Sequence, residues 1–233
     1  MRDGSRTAYF RHHLKEDNRG ERTMRAIDAF LTKYPDLAPC EEDIQNAYGI
    51  LEQCFRSGGK LLICGNGGSA SDSEHIVGEL MKGFMLPRKL PEPIITRFRE
   101  AYGREGEALA SKLQGALPAI SLVSHAALVT AIANDTDAAL AYAQQVYGYG
   151  RPGDVLLAIS TSGNSKNVVN AVKVAGVQGL KTIGLTGARG GQLTKLCDVC
   201  IRVPYHQTFE IQERHLPVYH ALCIGLEEAF FGS

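Results

Sequence analysis

Two patterns of apolar residues alternate along this chain. Short continuous apolar runs are bounded by glycines and polar residues, and between them lie longer segments in which apolar residues recur every three or four positions. The runs predict buried strands and the spaced segments predict helices. The five predicted strands are KLLIC, PAISLV, DVLLAIS, KTIGLT and DVCIRV. Because such strands alternating with helices are typical of a parallel sheet covered on both faces, we predict an α/β protein with a doubly wound, five-stranded sheet.

The helical segments complete this organisation. Two predicted helices, at 22–34 and 42–57, precede the first strand. The others follow it, at 71–82, 97–113, 124–133, 137–150, 166–177, 192–197 and 209–230. We expect a polar arm at 1–21 and one domain over 22–233, in which 85–117 is an insertion of different character. Pro217 should kink the last helix unless that helix begins there.

Composition excludes several classes of partner. The 233 residues are 44% apolar and carry 25 basic and 25 acidic side chains, so no global field attracts nucleic acid or an anionic membrane. No segment approaches the run of about 20 apolar residues that spans a bilayer, and the opening segment has no apolar stretch of the kind found in secretory signals. We therefore expect a cytoplasmic protein that binds neither nucleic acid nor a membrane.

The cysteines suggest core packing rather than chemistry. Six cysteines lie mostly within apolar stretches, as small buried thiols of cytosolic proteins do. Cys197 and Cys200 form a C-x-x-C motif, but no second pair completes a zinc site. Within a predicted strand the two side chains would point to opposite faces of the sheet.

Two loops rich in small residues follow predicted strands. The first, Gly65-Asn66-Gly67-Gly68-Ser69, lets the backbone approach a ligand closely and leads into a helix whose amides suit an anion. The second, STSGNS at 160–165, offers four hydroxyls and another helix start. Both loops leave strands at their carboxyl ends, where ligands bind in such sheets. We predict that the two loops together hold a phosphate through amides and hydroxyls.

Other interpretations of these loops fit less well. Gly65-x-Gly67-x-x-Ala70 satisfies a loose dinucleotide fingerprint, but the acidic residue expected about 20 positions later is missing. No Gly-Lys-Ser/Thr occurs, so there is no Walker A motif, and GGSAS lacks the last glycine of a nucleophile elbow. The remaining alternative is that both loops are only tight turns capped by serines.

Titratable residues lie on the helix after the first loop and on the last helix. His75 and Glu79 are four residues apart and share one helical face, one to two turns from the expected phosphate. Gln212 and His220 can share one side of the last helix, whereas His215 has a different azimuth and fits a core or interface position equally well. Spacing alone leaves open which of these residues acts.

The motifs in order resemble a known family. CGNGGSASDSEH, AIAND, GDVLLAISTSGNS and IQERH together resemble the sugar isomerase (SIS) domain, specifically its phosphoheptose isomerases, over about 40–230 apart from 85–117. The resemblance implies a flavodoxin-like three-layer fold and a homotetramer with shared active sites. It also implies interconversion of sedoheptulose 7-phosphate and D-glycero-D-manno-heptose 7-phosphate in heptose biosynthesis.

The resemblance also implies roles for single residues. Glu79 would carry a proton between adjacent carbons through an enediol, and His220 would relay protons among the oxygens. The implied substrate-binding residues are Asn66, Gly67, Gly68, Ser69, Asp135, Ser160, Thr161, Ser162, Ser165 and Gln212. Some members hold zinc through residues that match His75, Glu79, Gln212 and His220, so one zinc ion per site is implied, with no nucleotide cofactor.

Two other functions stay open. Relatives that associate with the replication initiator DnaA keep the fold but lack the glutamate and the last histidine, which suggests a sugar-phosphate-binding regulator as one alternative. Another SIS-type enzyme, such as an amino-sugar phosphate isomerase or etherase, is the other. The chain also departs from the family, with Gly83 where an arginine is common and Phe209-Glu210 where Asp-Arg is usual. Arginines of the 85–117 insertion could supply the missing cation, reshape the sugar pocket or form a charged surface helix.

Overall fold

The computed structural model describes residues 27–232, and in it five parallel strands form one sheet. The strands are β1 (Leu61–Cys64), β2 (Ala119–Ser121), β3 (Val155–Ile159), β4 (Lys181–Gly187) and β5 (Val199–Val203). Their order in the sheet is β2-β1-β3-β4-β5, and every pair is parallel. The predicted doubly wound sheet is confirmed, with strands where the apolar runs placed them.

Helices cover both faces of the sheet. They are α1 (Glu41–Arg56), α2 (Gly68–Met81), α3 (Glu92–Ala110), α4 (Ala126–Ile132), α5 (Ala141–Tyr149), α6 (Lys166–Val177), α7 (Leu193–Leu196) and α8 (Thr208–Phe231). Residues 27–33 are helical too, within the helix predicted at 22–34, and a 3₁₀ turn at Pro35–Cys40 leads into α1. The rest of that helix and the arm at 1–21 lie outside the described residues.

Alternate residues of each strand pack on opposite faces, as the pleat requires. Ile63 and Leu157 belong to the core under α1, α2 and α8, whereas Leu62 and Leu156 belong to the core under α5 and α6. All four side chains are at most 2% exposed. Because both faces are buried, the central strands read as continuous apolar runs rather than as alternating ones.

The strand order creates a switch point between β1 and β3. The chain leaves β1 toward β2 at one edge and later returns to β3, which pairs with the other side of β1. Cys64, the last residue of β1, is in register with Ala158 near the end of β3. The loops that follow both strands therefore leave the sheet at the same edge and in opposite directions, which opens the crevice where such sheets bind ligands.

Local geometry departs from the sequence prediction in three places. Helix α2 begins at Gly68, three residues earlier than predicted, because Gly67 adopts a left-handed φ of 56° and turns the chain at once. The helix predicted at 137–150 is regular only from α5 onward and follows a π turn at Ala133–Asp137 and a 3₁₀ turn at Ala138–Leu140. Helix α8 continues on both sides of Pro217 and begins nine residues before it, at Thr208.

The predicted placement of both C-x-x-C cysteines within a strand, with side chains on opposite faces of the sheet, was wrong. Cys197 lies at the end of α7, before β5 begins, and not inside the strand. A Cβ atom built on Gly184 would lie 3.0 Å from the sulfur of Cys200 and 3.3 Å from that of Cys197, so both thiols face the same glycine. Burial raises the pKa of Cys200 and raises that of Cys197 to about 12. The pair is thus a packed, unreactive element of the core.

The 85–117 insertion is built around α3, which is largely exposed and carries most of its charge. Gly103 has a φ of 60° and interrupts the helical conformation, and an antiparallel bridge between Lys89 and Gln114 joins the two ends of the insertion.

None of the helices within residues 27–232 combines the length and the hydrophobicity that a membrane-spanning helix needs.

Candidate active site

The loop after β1 is shaped by its glycines. A Cβ on Gly65 would lie 2.6 Å from the carbonyl oxygen of Ser69, so only glycine fits the turn into α2. Tyr142, from α5, donates a hydrogen bond of 2.6 Å to the carbonyl of Gly65 and fixes the base of the loop. Asn66 and Gly67 are exposed at its tip, and Ser69 is buried beneath them. The loop thus presents backbone and one amide side chain to solvent at the start of a helix.

Two hydroxyls of the loop after β3 contact each other, and a third accepts a bond from the backbone. The Ser160 and Ser165 hydroxyl oxygens lie 3.0 Å apart, and the backbone N–H of Asn164 donates to the hydroxyl of Ser162 at 3.2 Å. Thr161 accepts a bond of 3.0 Å at its carbonyl from the amide of Gly187. Ser165 precedes α6 but does not cap it with its side chain, so the positive end of that helix dipole lies beside the cluster of hydroxyls.

The two loops are joined directly by a pair of amide side chains. Asn66 donates to the Oδ1 of Asn167 at 2.9 Å, and Asn167 donates back to the Oδ1 of Asn66 at the same distance. Asn167 was missed in the sequence analysis, although an amide in the first turn of α6 was a signal that could have pointed to it. The two loops therefore lie side by side, as predicted. Of the two bridging residues, Asn66 was among the predicted substrate-binding residues.

Gln212 and the segment that carries Asp135 approach the starts of the two helices that follow the loops. The segment that carries Asp135 is exposed and reaches the start of α6, where Asp137 is 3.9 Å from Lys166. Gln212 lies in the first turns of α8, and a Cβ on Gly68 would be only 2.5 Å from its Nε2 atom. Gln212 is thus packed against the start of α2, and Asp135 belongs to the same edge of the sheet.

The predicted proton-transfer residues form a second cluster, between α2 and α8. His75 Nε2 lies 3.0 Å from Glu79 Oε1, and the ring of His220 stands nearly perpendicular to that of His75, with centroids 5.1 Å apart. The Oε2 atom of Glu79 and the Nε2 atom of His220 are buried and have no hydrogen-bond partner among residues 27–232. Lys82 Nζ approaches Glu79 Oε2 only to 3.8 Å. One carboxylate oxygen and one ring nitrogen therefore remain available to a ligand.

Burial keeps the last histidine of this cluster neutral. The pKa of His220 is lowered mainly by its removal from water and further by the neighbouring His75, against the opposing effect of Glu79. A neutral imidazole carries one donor and one acceptor, so it can pass protons in both directions. His215 is fully buried, and burial lowers its pKa to about 4. His215 is thus a core residue, which is one of the two alternatives, core or interface, that its spacing left open.

The two clusters occupy opposite ends of α2. Glu79 lies eleven residues beyond Gly68, which corresponds to about 16 Å of helix rise, and His75 lies at about 10 Å. The sequence analysis placed them one to two turns from the loop; because α2 begins at Gly68, they lie two to three turns away. The loops and the Glu79–His220 cluster of one protomer are thus farther apart than predicted.

A buried ion pair fixes the end of α2 next to Glu79. Arg88 is 1% exposed and donates to Glu227 at 2.7 Å, to the carbonyl of Glu79 at 2.7 Å and to that of Leu80 at 2.6 Å. Glu227 also accepts from three backbone amides, those of Phe84, Met85 and Leu86. These bonds and Arg88 lower the pKa of Glu227 against the effect of burial. This insertion arginine holds the helix end, a role that the sequence analysis missed.

The predicted metal ligands are not arranged around a common point. His75, Glu79 and His220 lie together, and the unpartnered atoms of Glu79 and His220 are of the type that zinc prefers. The fourth residue, Gln212, is packed at Gly68 instead, and His75 is already bonded to Glu79. In the described part of the chain, no three His, Cys, Asp or Glu side chains are spaced to hold a metal ion. The four residues as placed therefore do not fit a metal.

Comparison with known proteins shows which family and which solved structures this chain resembles. The SIS domain family matches residues 36–187. A phosphoheptose isomerase of Rhodospirillum rubrum is 40% identical over 204 residues, 88% of this chain and 93% of that protein. A phosphoheptose isomerase structure from Francisella tularensis superposes with a TM-score of 0.68 at 30% identity, over 93% of this chain and all of that one. One from Neisseria gonorrhoeae gives 0.64 at 33% identity, over 89% and 94%.

Proposed function

This chain belongs to the SIS domain family, and we propose that it is a phosphoheptose isomerase, an aldose–ketose isomerase of a phosphorylated sugar. Its substrate is sedoheptulose 7-phosphate, which it converts to D-glycero-D-manno-heptose 7-phosphate. The likeness to phosphoheptose isomerases extends over most of the chain and over most of each relative. The single observation that carries the proposal is the pair of free, buried atoms on Glu79 and His220.

The reaction needs a base that reaches one face of two adjacent carbons. Glu79 Oε2 takes the proton from C1 of the ketose, and an enediol forms as the carbonyl electrons move to O2. His220 transfers a proton between O2 and O1, which its neutral ring can do because it has one donor and one acceptor. Glu79 then returns the proton to C2, and the carbonyl is left at C1. Positioned acids and bases of this kind each contribute about 10²–10⁴-fold to the rate.

The phosphate end is held at the switch point. The amides of the loop after β1, the hydroxyls of 160–165 and the start of α6 form a neutral anion site, as the predicted binding residues require. The Asn66–Asn167 bridge supports this assignment because it joins the two loops side by side. Gln212 and Asp135, at the same edge, are proposed to contact the sugar hydroxyls.

We propose further that active sites are shared between protomers of a homo-oligomer. The separation of about 16 Å along α2 favours an arrangement in which the loops of one protomer face Glu79 of another. Helix α4 supports an interface as well, because its sequence AALVTAI is apolar but only Ile132 among its residues is buried. A tetramer, implied by the family resemblance, is the proposed state.

Subunit mixing tests the sharing of sites. At a substrate concentration far below KM, the Glu79→Gln variant and a double variant, Ser160→Ala with Ser165→Ala, should each be nearly inactive alone. Once subunits are mixed, some sites combine an intact loop from one protomer with an intact Glu79 from another, and turnover should return. A mixture that stays as inactive as its components, while exchange of subunits is confirmed by mass spectrometry, contradicts shared sites.

Zinc and location remain predictions of the same proposal. One zinc ion held by His75, Glu79, Gln212 and His220, as the family resemblance implies, would require these side chains to rearrange, and metal analysis of wild type against His75→Ala and His220→Ala tests this. Zinc bound at one equivalent and lost in both variants supports it, and its absence from protein purified without chelator contradicts it. A cytoplasmic location is supported by the free state of all six cysteines, since disulfides are rare there.

One assay separates the proposed function from its rivals. Purified protein is incubated with sedoheptulose 7-phosphate and, separately, with several hexose and amino-sugar phosphates, and aldose formation is followed. Turnover of the heptulose as the fastest substrate supports the proposal. Faster turnover of an amino-sugar phosphate indicates another SIS-type enzyme, and binding without turnover of any sugar indicates a regulator.

A further inference from the structure

A buried tyrosine lies directly behind the proposed proton-transfer cluster. Tyr219, in α8, is 1% exposed, so its hydroxyl needs a hydrogen-bond partner within the protein. That hydroxyl lies 3.0 Å from Nδ1 of His75 and 3.3 Å from Oδ1 of Asp72, both on α2. Neither Asp72 nor Tyr219 belongs to the predicted catalytic, binding or metal residues.

These residues continue in a row to the catalytic carboxylate. His75 contacts Tyr219 through Nδ1 and Glu79 through Nε2, the latter at 3.0 Å, so the ring bridges the two. Its plane is also fixed by edge-on contacts with the rings of Tyr219 and His220, at interplanar angles of 76° and 87°. Moving the Tyr219 hydroxyl would therefore turn the imidazole that holds one oxygen of Glu79.

We propose that Tyr219, in contact with Asp72, is a positioning residue that sets the orientation and tautomer of His75. Through His75 it also sets the orientation of the Glu79 carboxylate. The inference rests on the proposed function. A carboxylate only accepts hydrogen bonds, so the contact between His75 and Glu79 requires the ring hydrogen on Nε2, and Nδ1 then accepts the proton of the Tyr219 hydroxyl. The Nε2–H donates to Glu79 Oε1, which leaves Oε2 as the oxygen that meets the substrate.

The surroundings support this direction of the bonds. Burial and the neighbouring Asp72 both raise the pKa of Tyr219, so the phenol keeps its proton and remains a donor. The second oxygen of Asp72 is buried and has no partner in the part of the chain that the structure describes. Asp72 Oδ1 lies 3.3 Å from the same hydroxyl and bounds its position on the side away from His75.

Tyr219→Phe removes only the hydroxyl and should lower kcat on the order of 10-fold with little change in KM, the size of effect seen when an outer partner of a site histidine is lost. Asp72→Ala should do the same, and the double variant should be no worse than either single one, because the two residues act in series. Tyr205→Phe is the matched control, since Tyr205 also contacts an aspartate, Asp36 at 2.8 Å, away from the site. Its kcat should stay within about 2-fold of wild type.

A second readout does not depend on turnover. In protein labelled with ¹⁵N-histidine, the ring signals of His75, assigned by their loss in His75→Gln, should show the Nε2–H tautomer in wild type and in Tyr205→Phe. In Tyr219→Phe the Nδ1 signal should shift, because that nitrogen loses the hydroxyl that donates to it. An Nδ1–H tautomer in wild type, unaltered spectra in Tyr219→Phe, or additive losses of kcat in the double variant would overturn the proposal. Because the spectra are read without substrate, they remain decisive if the chain turns out to convert no heptulose.

Discussion

The two ends of helix α2 are built in different ways. At the start, glycines and an asparagine that are neighbours in sequence form an exposed tip above the buried Ser69, at the sheet edge. Toward the other end, His75 and Glu79 meet Tyr219 and His220, which lie more than 140 positions away in the chain, and several of these groups are buried. An anion site needs only local backbone and hydroxyls, whereas a proton-transfer site needs fixed, partly dehydrated groups that tertiary packing must supply.

The largest expected effect lies at the Glu79 end. Glu79→Gln keeps the shape of the side chain but removes the base, so kcat for the heptulose should fall by about 10²–10⁴-fold. KM should change little because the phosphate end is untouched. Steady-state kinetics check this, with Glu74→Gln as the control, since Glu74 lies on the same helix and accepts a hydrogen bond from the exposed Ser124 at 2.8 Å. Equal losses in both variants would indicate damage to α2 rather than loss of a base.

Stability should depend on the buried pair beside Glu79. Arg88→Met leaves Glu227 charged and unpaired, which typically costs about 3–5 kcal/mol of unfolding free energy. Chemical denaturation measures the change. Arg88→Met combined with Glu227→Leu should recover part of it, since no buried charge is left alone, but kcat should stay reduced because the carbonyls of Glu79 and Leu80 have lost their donor. Recovery of both stability and full kcat would show that Arg88 does not position Glu79.

A smaller effect with the opposite kinetic character is expected at the loop end. Ser165→Ala removes the hydroxyl that lies 3.0 Å from Ser160 and one proposed phosphate contact, so KM should rise roughly 10-fold, as for the loss of one hydrogen bond to a charged group. The maximal rate should stay near that of wild type. Isothermal titration with inorganic phosphate gives the same comparison without turnover. A variant that loses kcat and keeps KM would show that Ser165 serves proton transfer rather than phosphate binding.

The mildest prediction concerns acid stability. The pKa of His215 is about 4 in the folded protein and 6.5 when unfolded, so the unfolded chain binds more protons between these values. Stability should therefore fall as the pH drops from 6.5 toward 4, by about 3 kcal/mol in total from this residue. Denaturation at pH 7 and pH 4.5 measures the loss, and His215→Met should flatten it. An equal slope in that variant would assign the effect to other groups.

Sequence patterns anticipated the loop end better than the other end. The apolar runs located all five strands, and the topology that follows from them placed the loops at 65–69 and 160–165 on one edge. The start of α2 was misplaced because any of the three glycines in the loop could have taken the left-handed φ that the structure places at Gly67. Arg88 could not be foreseen as a buried residue, since a charge in a polar insertion is usually exposed. Tyr219 carries no sequence signal beyond its helical position next to His220.

The most direct test is a structure of the Glu79→Gln variant with sedoheptulose 7-phosphate bound. The account predicts the phosphate between the loops at 65–69 and 160–165, with C1 and C2 in contact with residue 79 and His220 of the same or a neighbouring protomer. A sugar whose phosphate lies elsewhere, or whose C1 and C2 point away from residue 79 in every protomer, would contradict it.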